Sequence, residues 1–167
     1  MIKYLLVFFL VSSGVIFANG KKADGVIINF FLETNKDPGK KLSFPWNTAM
    51  GELHFKRGAE FKTIDIESQR PFPSPHVDSE YGMMFKLDKD STRRLSILTA
   101  NNNGKHMIIF LNNKPLDMVV IDRQIDDGII CAWRGLSASD VHKADELTHR
   151  IGESKKDWKK RIKDKKN

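Results

Sequence analysis

The sequence has few of the features that mark catalytic or membrane-spanning proteins. It contains one cysteine, Cys131, so the chain cannot form an internal disulfide. Beyond the first twenty residues, no segment approaches the roughly eighteen consecutive apolar residues of a membrane-spanning helix. Nucleophile elbows, glycine-rich phosphate loops and His-Glu-x-x-His zinc motifs are absent. These absences favour a noncatalytic protein, for which we predict neither a cofactor nor a metal ion.

The overall composition is that of an ordinary globular protein. Of the 167 residues, 40% are apolar and 29% are charged, which excludes collagen-like and low-complexity chains. Residues 1–20 have the form of a secretory signal peptide, because a basic start precedes an apolar run at 4–11, and Ala18 and Gly20 offer cleavage points. We therefore expect an exported protein, located in the periplasm or at the outer face of the cytoplasmic membrane after the signal is removed.

The positive charge is concentrated at the C-terminus. The formal net charge of the chain is +7. Residues 153–167 contain eight Lys or Arg and three acidic residues, which gives this tail a net charge of +5, whereas residues 23–152 carry 17 basic and 18 acidic side chains. Because the body of the chain is nearly neutral, it lacks the basic face that nucleic-acid binding requires. We predict no nucleic-acid partner.

Two groups of residues have both a structural and a chemical interpretation. Cys131 lies in the apolar run 129–133, which predicts a buried thiol in a strand and not a nucleophile. His142, Glu146 and His149 are spaced to share one face of a helix and could bind a metal ion, but no fourth ligand is evident and positively charged neighbours flank them. We interpret this face as a solvated surface.

The first half of the chain predicts strands separated by irregular segments. Three apolar runs rich in β-branched and aromatic residues predict strands, at 26–32, 52–56 and 61–66. Residues 34–51 contain prolines, glycines and polar residues, which predict a long irregular loop with Phe44 and Trp46 packed onto the domain. Residues 67–80 contain three prolines that lack a backbone donor, so we predict an extended connection there and not a strand.

The second half of the chain predicts a regular series of elements in the order β-α-β-β-β-α. Antiparallel strands with amphipathic helices on one face imply a two-layer α+β sandwich of the ferredoxin-like type, preceded by the extra N-terminal strands. The predicted elements are a strand at 81–87, a helix from Asp88 to about 102, a hairpin of strands 106–111 and 114–121 that turns at Asn112 and Asn113, a strand at 129–133 and a helix capped by Ser137 and Asp140.

Residues 81–151 also follow the order of motifs in a known protein module. The matching motifs are Phe85-Lys86-Leu87-Asp88, Leu95-Ser96-Ile97-Leu98-Thr99, Asn103-Gly104-Lys105, Met107-Ile108-Ile109-Phe110-Leu111, Asn112-Asn113-Lys114, Asp127-Gly128, and a last helix with Asp140, Ala144 and Leu147. In this order they resemble the head subdomain of the large periplasmic domain of SecD, a subunit of the Sec protein-export machinery. The sequence departs from that family because it contains none of the family's transmembrane helices, and Asn112 stands at a turn where the family has Asp.

The resemblance implies a fold and a noncatalytic role. In SecD, the membrane helices use the proton gradient, and the head is thought to touch the emerging preprotein. For this chain it implies an exported binding module that contacts polypeptide or an envelope partner in protein export. We divide the chain accordingly into a signal peptide (1–20), N-terminal strands and loops (21–80), a SecD head-like α+β module (81–152) and a basic C-terminal tail (153–167).

The basic tail offers an alternative function. Ser154 can cap a short helix in which Trp158 and Ile162 lie four residues apart among basic side chains, a pattern typical of segments that bind anionic membrane surfaces. The alternative is a peripheral envelope protein that docks on anionic membrane through this tail, while a frayed, solvated tail and an enzyme site assembled from distant residues also stay open. The candidate contact residues are Lys155, Lys156, Trp158, Lys159, Lys160, Arg161, Ile162 and Lys163.

Overall fold

The computed structural model describes residues 26–165 except positions 38, 40 and 50. The predicted signal peptide at 1–20 lies outside the described residues. The strand predicted at 61–66 is shorter in the structure and continues as a turn of 3-10 helix, Thr63–Asp65. In chain order the elements are β1 (Ile28–Leu32), β2 (Ser43–Thr48), β3 (Gly51–Lys56), β4 (Phe61–Lys62), β5 (Ile66–Pro73), β6 (Tyr81–Leu87), α1 (Lys89–Ala100), β7 (His106–Leu111), β8 (Lys114–Val120), β9 (Ile129–Leu136), α2 (Ala138–Leu147) and α3 (Lys155–Asp164).

The strands of the described chain form three sheets. One sheet has the order β4-β1-β7-β8, a second has the order β5-β6-β9, and the hairpin β2-β3 forms the third. Neighbouring strands in these sheets are antiparallel. The predicted α+β class with antiparallel sheets is therefore confirmed. The strands of the second half are divided between the two larger sheets, which leaves β8 and β9 as edge strands.

One hydrophobic core joins the two larger sheets to helices α1 and α2. The rings of Phe30 in β1 and Phe85 in β6 meet edge to face, with their centroids 5.5 Å apart. Leu95 of α1 and Ala144 of α2 are buried in the same core. Burial of a large apolar side chain contributes about 1.5–3 kcal/mol. This shared core fixes one sheet against the other and so positions β8 beside β9.

The local signals of the second half are confirmed. Asp88 caps α1, because its carboxylate accepts a hydrogen bond from the Ser91 backbone N–H at 2.8 Å. Asn112 and Asn113 have φ angles of 49° and 63°, as a two-residue hairpin turn requires. Ser137 and Asp140 form the capping box of α2. Short-range patterns thus determine where these elements begin.

Strand β2 forms in the segment for which the sequence predicted an irregular loop, so that prediction is wrong. β2 pairs with β3 along its whole length. Pro45 of β2 lies opposite His54, whose carbonyl accepts a hydrogen bond from Thr34 and not from β2, so β3 requires no donor from Pro45. Phe44 contacts Phe110 edge to face at 6.1 Å, which confirms that Phe44 packs onto the domain.

Strand β5 forms where the sequence predicted an extended connection, so that prediction is also wrong. The whole of β5 pairs with β6. The Gln69 backbone N–H points away from β6 and donates to the carbonyl of His149. Because strand residues alternate, Pro71 and Pro73 also direct their nitrogen atoms away from β6, where no donor is needed. Proline is therefore compatible with this edge strand at every second position.

Candidate functional site

The edge strands β8 and β9 of the two larger sheets run side by side. A Cβ atom at Gly135, which has a φ of +93°, would stand 2.5 Å from the carbonyl oxygen of Leu116, so only glycine fits at this approach. Next to it, the Trp133 backbone N–H donates to Asp117 Oδ2 at 2.7 Å. The numbering rises along β8 as it falls along β9, so the two strands are antiparallel. A carboxylate, and not a backbone carbonyl, joins them at Trp133.

The outward backbone groups of β9 face β8 beyond this junction. The carbonyl of Gly128 accepts a hydrogen bond from Leu87 of β6 at 2.9 Å. Because strand residues alternate, Ile130 also faces β6, while Cys131 and Trp133 turn their N–H and C=O groups toward β8. The bond from Trp133 to Asp117 agrees with this alternation.

The outward backbone groups of β8 face β9 in the same way. The Ile121 N–H donates to the Lys105 carbonyl on the β7 side at 2.8 Å. By alternation, Val120 and Met118 turn their backbone groups toward β9. In the part of the chain that the structure describes, β7 is the partner strand of β8, and β6 is the partner strand of β9. The outward N–H of Met118 donates to Asp117 Oδ1 at 2.9 Å, and that of Ile129 donates to Asp127 Oδ1 at 2.9 Å. Between these side-chain contacts, the outward backbone groups of Val120 and Cys131 face the cleft, and no third strand of the described chain pairs with them.

A cleft of about 560 Å³ lies between the two edges and is also lined by residues 122–127, which connect β8 to β9. Two large apolar side chains on its walls are strongly exposed, Val120 at 55% and Trp133 at 47%. The Trp133 ring is held in place by Phe72 of β5, with the ring centroids 5.9 Å apart in an edge-to-face arrangement. The cleft thus combines open strand edges with an exposed apolar rim.

The cleft continues past β8 into an aromatic groove. Met118 and Arg134 line both the cavity beside Trp133 and the next cavity along, which Trp46 also lines. Trp46 in turn lines a groove of about 340 Å³ whose floor includes Phe110, and the rings of Trp46 and Phe110 lie 5.7 Å apart. The prediction that Trp46 packs onto the domain is confirmed. Neighbouring concavities between Trp133 and Trp46 thus share lining residues.

Two titratable groups that line the cleft, Cys131 and Asp126, have shifted pKa values. Burial and the negative charge of Asp117 raise the pKa of the Cys131 thiol to about 11. Cys131 is half-buried and lines the cleft, so the prediction of a fully buried thiol is corrected. Hydrogen bonds from Ser96 at 2.6 Å and Gln124 at 2.8 Å lower the pKa of the Asp126 carboxyl. At neutral pH the thiol is protonated and the carboxylate is charged.

A second notable arrangement surrounds Asp145 of α2, which is buried with 1% of its surface exposed. Arg150 donates from Nε and Nη2 at 2.9 and 2.7 Å, and Gln69 of β5 donates from Nε2 at 3.1 Å. Arg161 Nη1 and Lys165 Nζ lie 3.1 and 3.3 Å from Asp145 Oδ2. Burial alone would raise the pKa, but hydrogen bonds from Arg150 and Gln69 and the charges of Arg150 and Arg161 outweigh it and lower the pKa of Asp145 to about 2. This carboxylate joins β5, α2 and the C-terminal segment.

The basic tail is therefore attached to the domain as helix α3. The Trp158 indole N–H donates to the Asp145 carbonyl at 2.8 Å. Arg161 donates twice to the Glu153 carboxylate at 2.8 Å, and these bonds lower the pKa of Glu153 to about 2. Ile162 is half-buried. Three of the predicted contact residues thus face the domain. The other five are exposed: Lys155, Lys156, Lys159, Lys160 and Lys163.

Sequence reasoning missed both Asp145 and the cleft. A usable signal for Asp145 was an acidic residue beside Ala144 on the last predicted helix, followed by many basic residues. The cleft had no local signal, because it depends on which strands lie at sheet edges.

His142, Glu146 and His149 do not share one helix face in the structure. α2 ends at Leu147, so His149 lies outside the helix that carries His142 and Glu146. Among the described residues, no group of three or more His, Cys, Asp or Glu side chains is arranged to hold a metal ion. The same part of the chain contains no helix that is long and apolar enough to cross a membrane.

Comparisons with known proteins give a similarity at low identity. No protein-family model matches the chain, and no curated protein matches it. Among solved structures, the chain is similar to one described as "Structure and function of a membrane component SecDF that enhances protein export", with 14% identity, a TM-score of 0.49 and coverage of 74% of this chain and 60% of that chain. A second, "Crystal structure of SecDF in Super-membrane-facing form", is 13% identical with a TM-score of 0.49, and the match covers 74% of this chain and 18% of that one.

These matches concern the fold alone. The chain spans 60% of the length of the first structure. The role of the cleft depends on the geometry of this chain itself.

Proposed function

We propose that the protein is a noncatalytic exported module that binds extended polypeptide by strand addition in the cleft between β8 and β9. The observation that carries the proposal is the pair of facing edges, whose outward backbone groups at Val120 and Cys131 have no partner strand in the described chain. An extended peptide carries the same alternating donors and acceptors, so it can pair with either edge. The partner is a polypeptide in export or an envelope protein, in the periplasm or at the outer face of the cytoplasmic membrane.

Side chains beside the edges support this role. Every second side chain of an added strand points to the same face, where Trp133 and Val120 offer exposed apolar surface. The aromatic groove that contains Trp46 and Phe110 extends this surface beyond the cleft. Cys131 is a protonated thiol at neutral pH, which supports binding over nucleophilic chemistry.

The backbone pattern provides a sharp test. Replacing Cys131 by proline removes an outward N–H but none of the hydrogen bonds to β6, because Cys131 faces the cleft. Cys131→Ala is the matched control, since it changes the side chain and keeps the N–H. We expect Cys131→Pro to weaken binding of a permanently unfolded, carboxymethylated polypeptide at least about tenfold, which is the loss of one or two hydrogen bonds, and Cys131→Ala to bind like the unaltered protein.

Binding is measured by fluorescence anisotropy, with circular dichroism to verify that each variant is folded. A second measurement needs no change to the protein: a short peptide N-methylated at alternate residues cannot pair as a strand and should bind more weakly than its unmethylated form. Equal affinity for both peptides, or equal affinity of the proline and alanine variants, would show that binding does not use the strand edges.

A further inference from the structure

Helix α3 presents a cationic face that is separate from the cleft. Lys155, Lys159 and Lys163 follow one another at intervals of four residues, and Lys156 and Lys160 form a parallel row. At 100° per residue, all five fall within an arc of about 140° over a length of about 12 Å. All five are exposed. The arc contains no acidic and no apolar residue, and Asp157 and Asp164 lie beyond its edge.

The opposite side of α3 is fixed to the domain. The Trp158 indole, the Arg161 guanidinium and the Lys165 ammonium contact Asp145 or Glu153. Ile162, half-buried, lies on this same side of the helix. The helix therefore cannot turn Trp158 or Ile162 outward unless these contacts break. The sequence alone suggested an amphipathic segment with Trp158 as an interfacial anchor, whereas in the folded protein Trp158 and Ile162 are half-buried and the five lysines are exposed.

We propose that this lysine face docks the protein flat on an anionic phospholipid surface, through headgroup contacts and without insertion of side chains into the acyl region. Lysine ammonium groups are compact, strongly hydrated point charges, and five of them on one rigid face match a layer of anionic headgroups in charge. Each lysine near such a surface adds attraction that salt screens. The inference is independent of the polypeptide-binding proposal, because it uses none of the residues of the cleft.

The test compares two triple variants of equal net charge. One replaces three lysines of the α3 face (Lys155→Gln, Lys159→Gln, Lys163→Gln), and the control replaces three exposed lysines elsewhere (Lys41→Gln, Lys89→Gln, Lys114→Gln). Binding is measured by sedimentation with vesicles of phosphatidylcholine that contain about a third phosphatidylglycerol, and with vesicles of phosphatidylcholine alone. None of the six lysines makes a contact with Asp145 or Glu153 in the structure.

The unaltered protein should bind the anionic vesicles, release them as salt rises from about 0.1 to 0.5 M, and ignore the neutral ones. The α3 variant should bind the anionic vesicles about 100-fold more weakly, and the control variant should keep most of the affinity. If both variants lost the same affinity for the anionic vesicles, binding would depend only on the net charge of the protein, and the proposal would be overturned. The proposal would also be overturned if a soluble polyglutamate peptide bound the protein as tightly as the vesicles and the α3 variant lost this binding. The partner of the lysine face would then be an acidic protein.

Flat docking has its own readout. In a chain with Trp46→Phe and Trp133→Phe, Trp158 is the remaining indole. Phospholipids brominated in the acyl chains should not quench its fluorescence when the protein is bound to vesicles. Strong quenching would show that Trp158 leaves its contact with Asp145 and inserts, which would overturn docking through the lysine face alone.

Discussion

The outer edge of β5 and the facing edges of β8 and β9 are surfaces of the same kind, but the chain covers only the first. On β5, Pro71 and Pro73 remove outward donors, and the backbone of residues 149–151 exchanges hydrogen bonds with Gln69 in a parallel bridge. On β8 and β9, the Asp117 carboxylate joins the strands at one point, and the cleft beyond it stays open.

This difference indicates which edge is available to a partner. Open strand edges promote unwanted pairing, so proteins usually cover them with prolines, charges or another segment. In this chain, prolines and the segment 149–151 both cover the edge of β5. The buried carboxylate of Asp145 holds that segment through Arg150. The same chain leaves exposed apolar side chains, Val120 and Trp133, beside the uncovered edges. The contrast favours the cleft as the surface where a polypeptide adds.

The largest effect should come from breaking the cover of β5 at Asp145. In Asp145→Asn, Arg150 and Arg161 lose their buried counter-charge, and we expect the free energy of unfolding to fall by about 3–5 kcal/mol. The backbone N–H of Gln69 donates to the His149 carbonyl, and its hydrogen should then exchange with solvent faster. Urea unfolding and hydrogen exchange measure both effects. The control is Asp164→Asn, at an exposed position of α3. If Asp145→Asn were as stable as this control, the contacts of Asp145 would not fasten the segment that covers β5.

The next effect tests the close approach that pins β8 to β9. In Gly135→Ala, the new Cβ would meet the Leu116 carbonyl at 2.5 Å, and the φ of +93° adds backbone strain. We expect a loss of about 2–3 kcal/mol in the free energy of unfolding. Gly104→Ala is the matched control, because Gly104 has a φ of +83° with no atom near its Cβ position, and it should lose about 1 kcal/mol. Equal losses in thermal or urea unfolding would mean that the contact at Leu116 does not constrain the strands.

Acid should loosen the cover of β5. The pKa values of Asp145 and Glu153 are lowered to about 2 from 3.8 and 4.5. A depressed pKa stabilises the fold above the unfolded-state value, and that contribution is lost as pH falls from about 4.5 to about 2. For Asp145 the loss amounts to about 2 kcal/mol. Unfolding measured across this range should show the decline in the unaltered protein and a shallower one in Asp145→Asn; parallel curves would exclude Asp145 as its source.

Local sequence patterns were sufficient to locate the elements of the second half of the chain, but not to show which of its strands share a sheet. Asp88, the Asn112-Asn113 turn and the box of Ser137 and Asp140 each act through contacts within a few residues, and the structure confirms them. The same rules failed at Pro45 and in β5, because whether a proline is tolerated depends on which side of the strand has a partner. That information is tertiary.

The candidate sites show the same division. The amphipathic pattern of residues 155–164 predicted helix α3, but it could not reveal that Trp158 and Arg161 turn inward, because their partners on α2 and at Glu153 are set by the fold. The cleft was beyond prediction, since Val120 and Cys131 belong to different sheets. Strand order decides that their edges face each other.

The smallest effect tests whether the prolines of β5 act as edge protection. Replacing Pro71 and Pro73 by alanine restores two outward N–H groups, and the free energy of unfolding should fall by only about 1 kcal/mol. Self-association, measured by sedimentation velocity at rising concentration, should nevertheless increase. Pro75→Ala, outside the strand, should leave association unchanged. A peptide that fills the cleft between β8 and β9 should not compete with the new association, because the two edges are separate surfaces. Competition would show that copies associate through the cleft, and the contrast between a covered and an open edge would then fail.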